Sequence, residues 1–132
     1  MAVVLLLEDD PGLQFVFSEA LEDAGHEVHV ASNNDEAVAA LRHHYPGREI
    51  VVLDLMSLDG FSTDVAIYAV YSAPKAEVIY MTGSGLFPKG ELFGISRNAR
   101  MVLRKPVDLR ELKTMVDHVT VPEPPLGVPV PG

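Results

Sequence analysis

The chain has 132 residues, no cysteine, and 19 acidic against 10 basic side chains, for a formal net charge of -9. One domain of that length can bury a full core without staples, and the lack of cysteine excludes disulfides, zinc knuckles and thiol catalysis. The charge repels phosphate backbones and anionic lipid, so no nucleic acid partner is expected, while divalent cations and basic protein surfaces suit it.

Val3 to Leu7 is an uninterrupted apolar run, the pattern of a strand covered on both faces, and it ends in Glu8, Asp9 and Asp10. It has no basic n-region and no apolar stretch approaches the ~20 residues that span a bilayer, so neither a secretory signal nor membrane insertion is expected and the default setting is cytoplasmic. Asp10-Pro11 reads as an N-cap followed by proline at the first helical position. The helix after it carries Leu13, Val16, Phe17, Ala20, Leu21 and Ala24 at helical spacing and stops at Gly25.

His26 to Ala31 alternates, as a strand near a sheet edge would. Asn33 to Glu36 supplies a cap and early negative charge for a second helix through Leu41, closed by Pro46-Gly47. Ile50 to Leu53 is the third strand and ends on Asp54. Ser62 is read as the cap of a third helix through Val70, ending near Pro74. Val78 to Met81 is the fourth strand and leads into Thr82-Gly83.

Between Leu86 and Asn98 the prolines and glycines interrupt all but a short helix. Met101 to Leu103 is a fifth strand leading into Arg104, Lys105 and Pro106, and Asp108 with Glu111 starts a final helix faced by Leu109, Leu112, Val116 and Val119. The domain is thus placed at residues 1–120, and residues 121–132, rich in proline, valine and glycine, read as a disordered tail.

Strands alternating with helices over short connections imply an α/β fold, a doubly wound five-stranded parallel sheet with helices on both faces. Right-handed crossovers and an edge second strand favour the order 2-1-3-4-5. The first and third strands are then neighbours at the switch point, and Glu8, Asp9 and Asp54 meet at their carboxyl ends, with Thr82 and Lys105 on the same rim. Clustered carboxylates repel one another, which a cation relieves, and an all-oxygen site suits Mg²⁺. A carboxylate, a metal and fixed donors are the parts that phosphoryl transfer uses.

Glu8-Asp9-Asp10-Pro11, Asp54, Thr82-Gly83 and Lys105-Pro106, each after its own strand, resemble the receiver domain of two-component response regulators, over about Val3 to Val119. That resemblance implies a flavodoxin-like fold, Asp54 as phosphoacceptor, and Glu8, Asp9 and Asp54 with the backbone carbonyl of Met56 as Mg²⁺ ligands. It further implies Thr82 and Lys105 as partners of the phosphoryl group, and a sensor histidine kinase or histidine phosphotransfer protein as its donor.

Two positions depart from the pattern. The stretch from Asp54 to Gly60 is about two residues shorter than usual and has Leu58 where receivers place proline, and Val102 stands where they place an aromatic. With no output domain after the last helix, the expectation is a stand-alone receiver that signals through contacts with a downstream protein and catalyses only its own phosphorylation and dephosphorylation. The alternative is a receiver-like interaction module acting without phosphorylation. A phosphatase working through an aspartyl-phosphate is disfavoured, because position 56 is methionine rather than a second acid. The histidines at 26, 29, 43, 44 and 118 have no ligand or relay spacing, and surface or partly buried placement is expected for them.

Overall fold

The apolar runs pair with one another in the computed structural model, which describes residues 2–42, 49–57, 60–83 and 91–120. The longer strands are β1 (Val3–Leu7), β2 (Glu27–Ala31), β3 (Glu49–Asp54), β6 (Glu77–Thr82) and β7 (Ala99–Arg104), with a short hairpin of β4 (Met56–Ser57) and β5 (Gly60–Phe61) between the third and fourth of them. The helices are α1 (Pro11–Asp23), α2 (Asn34–Arg42), α3 (Thr63–Ser72), α4 (Leu92–Ile95) and α5 (Leu109–Thr120). The sheet order is β2-β1-β3-β6-β7 and every pairing in it is parallel. Counting only the five longer strands, this is the expected 2-1-3-4-5.

Parity along the strands divides the core in two. Val4, Leu6, Ile50, Val52, Ile79 and Met81 face α1 and α5, where they meet Phe17, Leu21, Leu112 and Val116. Leu5, Leu7, Val51, Leu53, Val78 and Tyr80 face the other way, onto Ala37, Leu41, Val65, Ala66 and Ala69 of α2 and α3. The continuous apolar character of β1, β3 and β6 follows from this, since both faces are covered. β2 lies at one edge, and only Ala31 of its residues is buried.

The helix ends carry their signals as the sequence suggests. The Asp10 carboxylate accepts from the N–H groups of Gly12 and Leu13 at 2.8 and 3.2 Å, with Pro11 opening α1. At the other end Gly25 has a φ of 95°, so that its N–H reaches the Glu22 carbonyl and the His26 N–H reaches that of Leu21. Asp108 caps α5 through the N–H of Arg110 at 2.8 Å. Asp10→Ala removes two acceptor contacts at an exposed cap and is expected to lower stability by about 1 kcal/mol in a denaturant titration.

Three details differ from the sequence reading. Val16 is 40 % exposed, so the buried stripe of α1 is narrower than its apolar content suggests and rests on Phe17 and Leu21. Ser62 precedes α3, but its hydroxyl makes no cap hydrogen bond; its carbonyl instead accepts from Val65 and Ala66. The β4–β5 hairpin was not expected, because two-residue strands carry no periodicity to read. The final short helix of the 86–98 stretch is α4, while residues 84–90, Pro46-Gly47, His43, His44, Leu58, Asp59 and the 121–132 tail lie outside the described residues.

At the end of the sheet away from the strand carboxyl termini, His26 is buried. Its Nδ1 accepts from the Ala2 N–H at 3.1 Å and its Nε2 lies 2.9 Å from the Asp117 carboxylate. Accepting at Nδ1 places the ring proton on Nε2, from which it donates to Asp117. The residue joins the start of β1, the α1–β2 turn and α5. It has no place in the site described next, but its burial departs from the surface or partly buried placement expected for the histidines.

Candidate functional site

The carboxyl ends of β1, β3, β6 and β7 converge because the register is exact across the sheet centre. Leu7 pairs with Leu53, Asp54 with Met81, and Thr82 with Arg104. The first residue past each strand is therefore presented at one rim: Glu8 after β1, Lys105 after β7, with Asp54 and Thr82 the last residues of β3 and β6. Backbone bonds fix that rim further. Glu8 N–H donates to the Ala31 carbonyl at 3.0 Å, Leu55 N–H to that of Met81 at 2.8 Å, and Lys105 N–H to that of Thr82 at 2.8 Å. Gln14 of α1 adds a clamp that the sequence did not single out. Its amide donates to the Glu8 carbonyl and, at 3.0 Å, reaches Ser32 Oγ.

Glu8, Asp9 and Asp54 each bring a carboxylate oxygen within 4.8 Å of the others. Glu8 is wholly buried, Asp54 nearly so, and Asp9 is half-buried. Lys105 reaches across to two of them, its Nζ lying 3.1 Å from Glu8 Oε1 and 3.2 Å from Asp54 Oδ2. The other Glu8 oxygen, Oε2, accepts from the Asp10 N–H at 3.1 Å. The Asp10 side chain is exposed and serves the helix cap. Thr82 is buried at the end of β6, and Gly83 beside it lies alongside the aliphatic stem of Lys105. Among the sequence-predicted residues, then, Glu8, Asp9, Asp54 and Lys105 are brought together, and Thr82 stands on the same rim. Met56 follows at the start of the hairpin with its side chain half exposed.

The electrostatics show a site with more negative charge than its own cation offsets. Burial pushes the Glu8 carboxyl above its ordinary range, and Asp54 pushes it the same way, against the opposing pull of the Asp10 N–H and Lys105. Burial likewise raises Asp54, with Asp9 adding to it, while Lys105 and the Met56 N–H pull it down. For Lys105 burial disfavours the charge, yet Glu8 and Asp54 outweigh it and hold the ammonium above its usual range. One lysine serving two buried carboxylates and a third nearby leaves the cluster under-compensated. Oxygen donors of that charge and spacing fit a hard divalent cation, and the residues present can hold one.

A sequence profile described as the response regulator receiver domain matches residues 4–117. The chain belongs to that family. It is therefore a receiver domain of two-component signalling. PilH of Pseudomonas aeruginosa is 28% identical over 121 residues, covering 90% of this receiver and 98% of PilH. Response regulator Rre1 of Synechocystis is 29% identical over 119 residues, but this chain, 88% covered, spans only 50% of that protein.

Among solved structures, a CheY-like receiver domain protein from Methanospirillum hungatei superposes with a TM-score of 0.79 at 21% identity, covering 89% of this receiver and 92% of that chain. TrrA of Thermotoga maritima, solved in complex with Mg²⁺-BeF, gives 0.76 at 21% identity over 90% and 99% of the two chains. These two likenesses establish the flavodoxin-like fold. No described helix is long and apolar enough to cross a membrane.

Proposed function

We propose that this receiver takes a phosphoryl group on Asp54 from the phosphohistidine of a sensor histidine kinase or a histidine phosphotransfer protein and signals through contacts with a downstream protein. The observation that carries the reading is the lysine bridge. A buried Asp54 carboxylate lies 3.2 Å from the Nζ of Lys105, beside Glu8 and Asp9 in one cluster.

In the step itself, an Asp54 carboxylate oxygen attacks phosphorus as the P–N bond breaks. The electron pair returns to the imidazole nitrogen, which takes up a proton, and an acyl phosphate remains on Asp54. Glu8, Asp9, Asp54 and the Met56 carbonyl would hold Mg²⁺, which when bound supplies charge offset for the phosphoryl oxygens. Lys105 holds a fixed positive charge against the Asp54 side of the transferring group, and the Thr82 hydroxyl would donate to it. Burial of Asp54 limits the access of water to the product. The reading carries no turnover of an external substrate, only the gain and loss of its own phosphoryl group, and a cytoplasmic location, in keeping with the absence of cysteine.

The test is acetyl phosphate with Mg²⁺, read by intact mass. A base-labile gain of one phosphoryl group on the protein is expected, and its absence defeats the reading. Mg²⁺ alone also has an expected effect, because it binds the folded cluster and not the unfolded chain. At a hundredfold excess over its Kd it raises stability by about 2.7 kcal/mol, measured as a rise in Tm.

The second reading, an interaction module acting without phosphorylation, draws on the β4–β5 hairpin that directly follows Asp54 and on Val102 beside β6. It is distinguished by partner binding that is equally strong with and without Mg²⁺ and a phosphoryl donor.

A further inference from the structure

A hairpin of two residues a side does not hold itself in water, yet β4–β5 carries the backbone carbonyl assigned to the cation. Residues 55–61 contain no proline to stiffen the connection, and Gly60 has a φ of 117°. The hairpin is pinned at its base, where Ser62 N–H donates to the Leu55 carbonyl at 2.9 Å and Leu55 N–H to that of Met81 at 2.8 Å. That base also sets how the next carbonyls point. Met56 and Phe61 are the register partners that follow it, so they form a non-hydrogen-bonded pair whose own carbonyls turn outward from the ladder. The Met56 carbonyl is not taken up by the hairpin, and the Phe61 carbonyl needs a partner from elsewhere.

Asn34, the first residue of α2, supplies it. Its Nδ2 lies 3.1 Å from the Phe61 carbonyl and 3.5 Å from that of Gly60. Both partners are acceptors, so only the NH₂ end of the amide fits between them.

The turn that carries Asn34 is itself braced. Asn33 Oδ1 accepts from the Glu36 N–H at 2.8 Å, and the Glu36 carboxylate reaches back to the Ser32 N–H at 3.3 Å, in the manner of a capping box. On its other side the turn is tied to the segment bearing Glu8 and Asp9. Gln14 joins Ser32 Oγ to the Glu8 carbonyl, and Glu8 N–H donates to the carbonyl of Ala31. Residues 31–34 therefore connect the end of β1, with its two acids, to the hairpin that follows Asp54.

We propose that Asn34 is a positioning residue for the cation: by holding the Phe61 and Gly60 carbonyls it fixes the β4–β5 hairpin and keeps the Met56 carbonyl in place beside the Glu8, Asp9 and Asp54 carboxylates. The proposal rests on the reading that these groups hold Mg²⁺. A carbonyl ligand favours the bound ion only when its own segment is already ordered, and Asn34 does that ordering from a helix that does not touch the metal.

Asn34→Asp is the sharpest test, with Asn34→Ala beside it. The aspartate has the same shape, but its carboxylate faces two carbonyl oxygens and cannot donate to them. An acid in the first turn favours α2, and an added negative charge by itself attracts a cation. Weaker Mg²⁺ binding in this variant is then due neither to a damaged helix nor to charge.

Mg²⁺ titrated calorimetrically into the full chain should bind both variants about tenfold or more weakly than wild type. In the metal-free protein the Leu55 and Ser62 amides should exchange several-fold faster in both, while those of residues 37–42 keep the wild-type rate in Asn34→Asp. Unchanged affinity in Asn34→Asp, or weaker affinity with wild-type exchange at Leu55 and Ser62, overturns the proposal. With acetyl phosphate, adduct formation in the variants should be slow at Mg²⁺ near the wild-type Kd and reach the wild-type rate at saturation. A rate that saturation does not restore overturns the assignment to the cation. A wild type that binds no Mg²⁺ overturns the metal reading and the role of Asn34 with it. A wild type that binds Mg²⁺ and gains no phosphoryl group defeats the phosphoacceptor reading alone, and the calorimetric comparison still decides Asn34.

Discussion

Asp54→Asn is expected to gain no mass from acetyl phosphate and Mg²⁺ under conditions in which the wild-type chain gains one phosphoryl group. The amide keeps the shape of the side chain but lacks the anionic oxygen that attacks phosphorus, so the loss is complete rather than graded. The same substitution should make the metal-free protein more stable near neutral pH, on the order of 1 kcal/mol, because it removes one charge from three carboxylates within 4.8 Å of one another.

The pH dependence follows from the direction of the shift. The Asp54 carboxyl is raised in the folded state above its ordinary 3.8, so the folded chain holds that proton more tightly than the unfolded chain does. Its contribution favours folding below 3.8 and is lost as pH rises through the raised value. The stability difference between Asp54→Asn and wild type should therefore be largest at neutral pH and shrink on acidification through that window. A wild type that remains less stable than the variant by the same margin at low pH would contradict the account. Saturating Mg²⁺ should also close the gap at neutral pH, since it stabilises wild type more than a variant lacking one of the acids.

Lys105→Met should have the larger effect on folding. The ammonium is held between Glu8 at 3.1 Å and Asp54 at 3.2 Å, and the Glu8 side chain is wholly buried. Removing one member of a buried ion cluster leaves the remaining charge uncompensated, which lowers stability by about 3 kcal/mol. The methionine stem still covers the rim next to Gly83, so packing is kept and the loss reports charge. Two further outcomes separate this from a general packing defect. Part of the loss should return on adding Mg²⁺, because a cation in the acid cluster takes over some of the lysine's role. Part should also return on acidification, because both acids can then be protonated. Phosphorylation of the variant by acetyl phosphate should be slowed even where it is fully folded, as the fixed charge beside Asp54 is gone.

Much of this was legible in the residues because parallel sheets write themselves plainly. Val3 to Leu7, Ile50 to Leu53 and Val78 to Met81 are apolar without alternation, and only a strand covered on both faces needs that. Asp10-Pro11, Gly25 and Asp108 marked helix ends for reasons of local hydrogen bonding, and those reasons survive packing. The cluster was legible for a different reason. The topology returns successive strand ends to one rim, so Glu8, Asp54 and Lys105 could be brought together on paper from strand order alone.

What could not be read has its own causes. Val16 falls at helical spacing with Phe17 and Leu21, but the breadth of the stripe that a neighbouring sheet covers is a property of the sheet. The pairing of Met56–Ser57 with Gly60–Phe61 rests on two residues a side, too few for any periodic signal. Gln14 reads as a surface polar residue of α1 and is instead spent on the Glu8 carbonyl, a contact set by where α1 lands on β1. Tyr80 looked like one more member of the apolar run, and nothing in the run indicated that it would be the largest wholly buried side chain.

The alternation of side chains along β6 gives the molecule a direction. Val78, Tyr80 and Thr82 look to one side of the sheet, Ile79 and Met81 to the other, and the two half-cores share no side chain. A change of side-chain volume at Tyr80 is therefore felt against α2 and α3, and one at Ile79 or Met81 against α1 and α5. The sheet works as a partition, so substitutions on opposite faces of the same strand should loosen different helices, α2 and α3 on one face and α1 and α5 on the other, as read by amide hydrogen exchange.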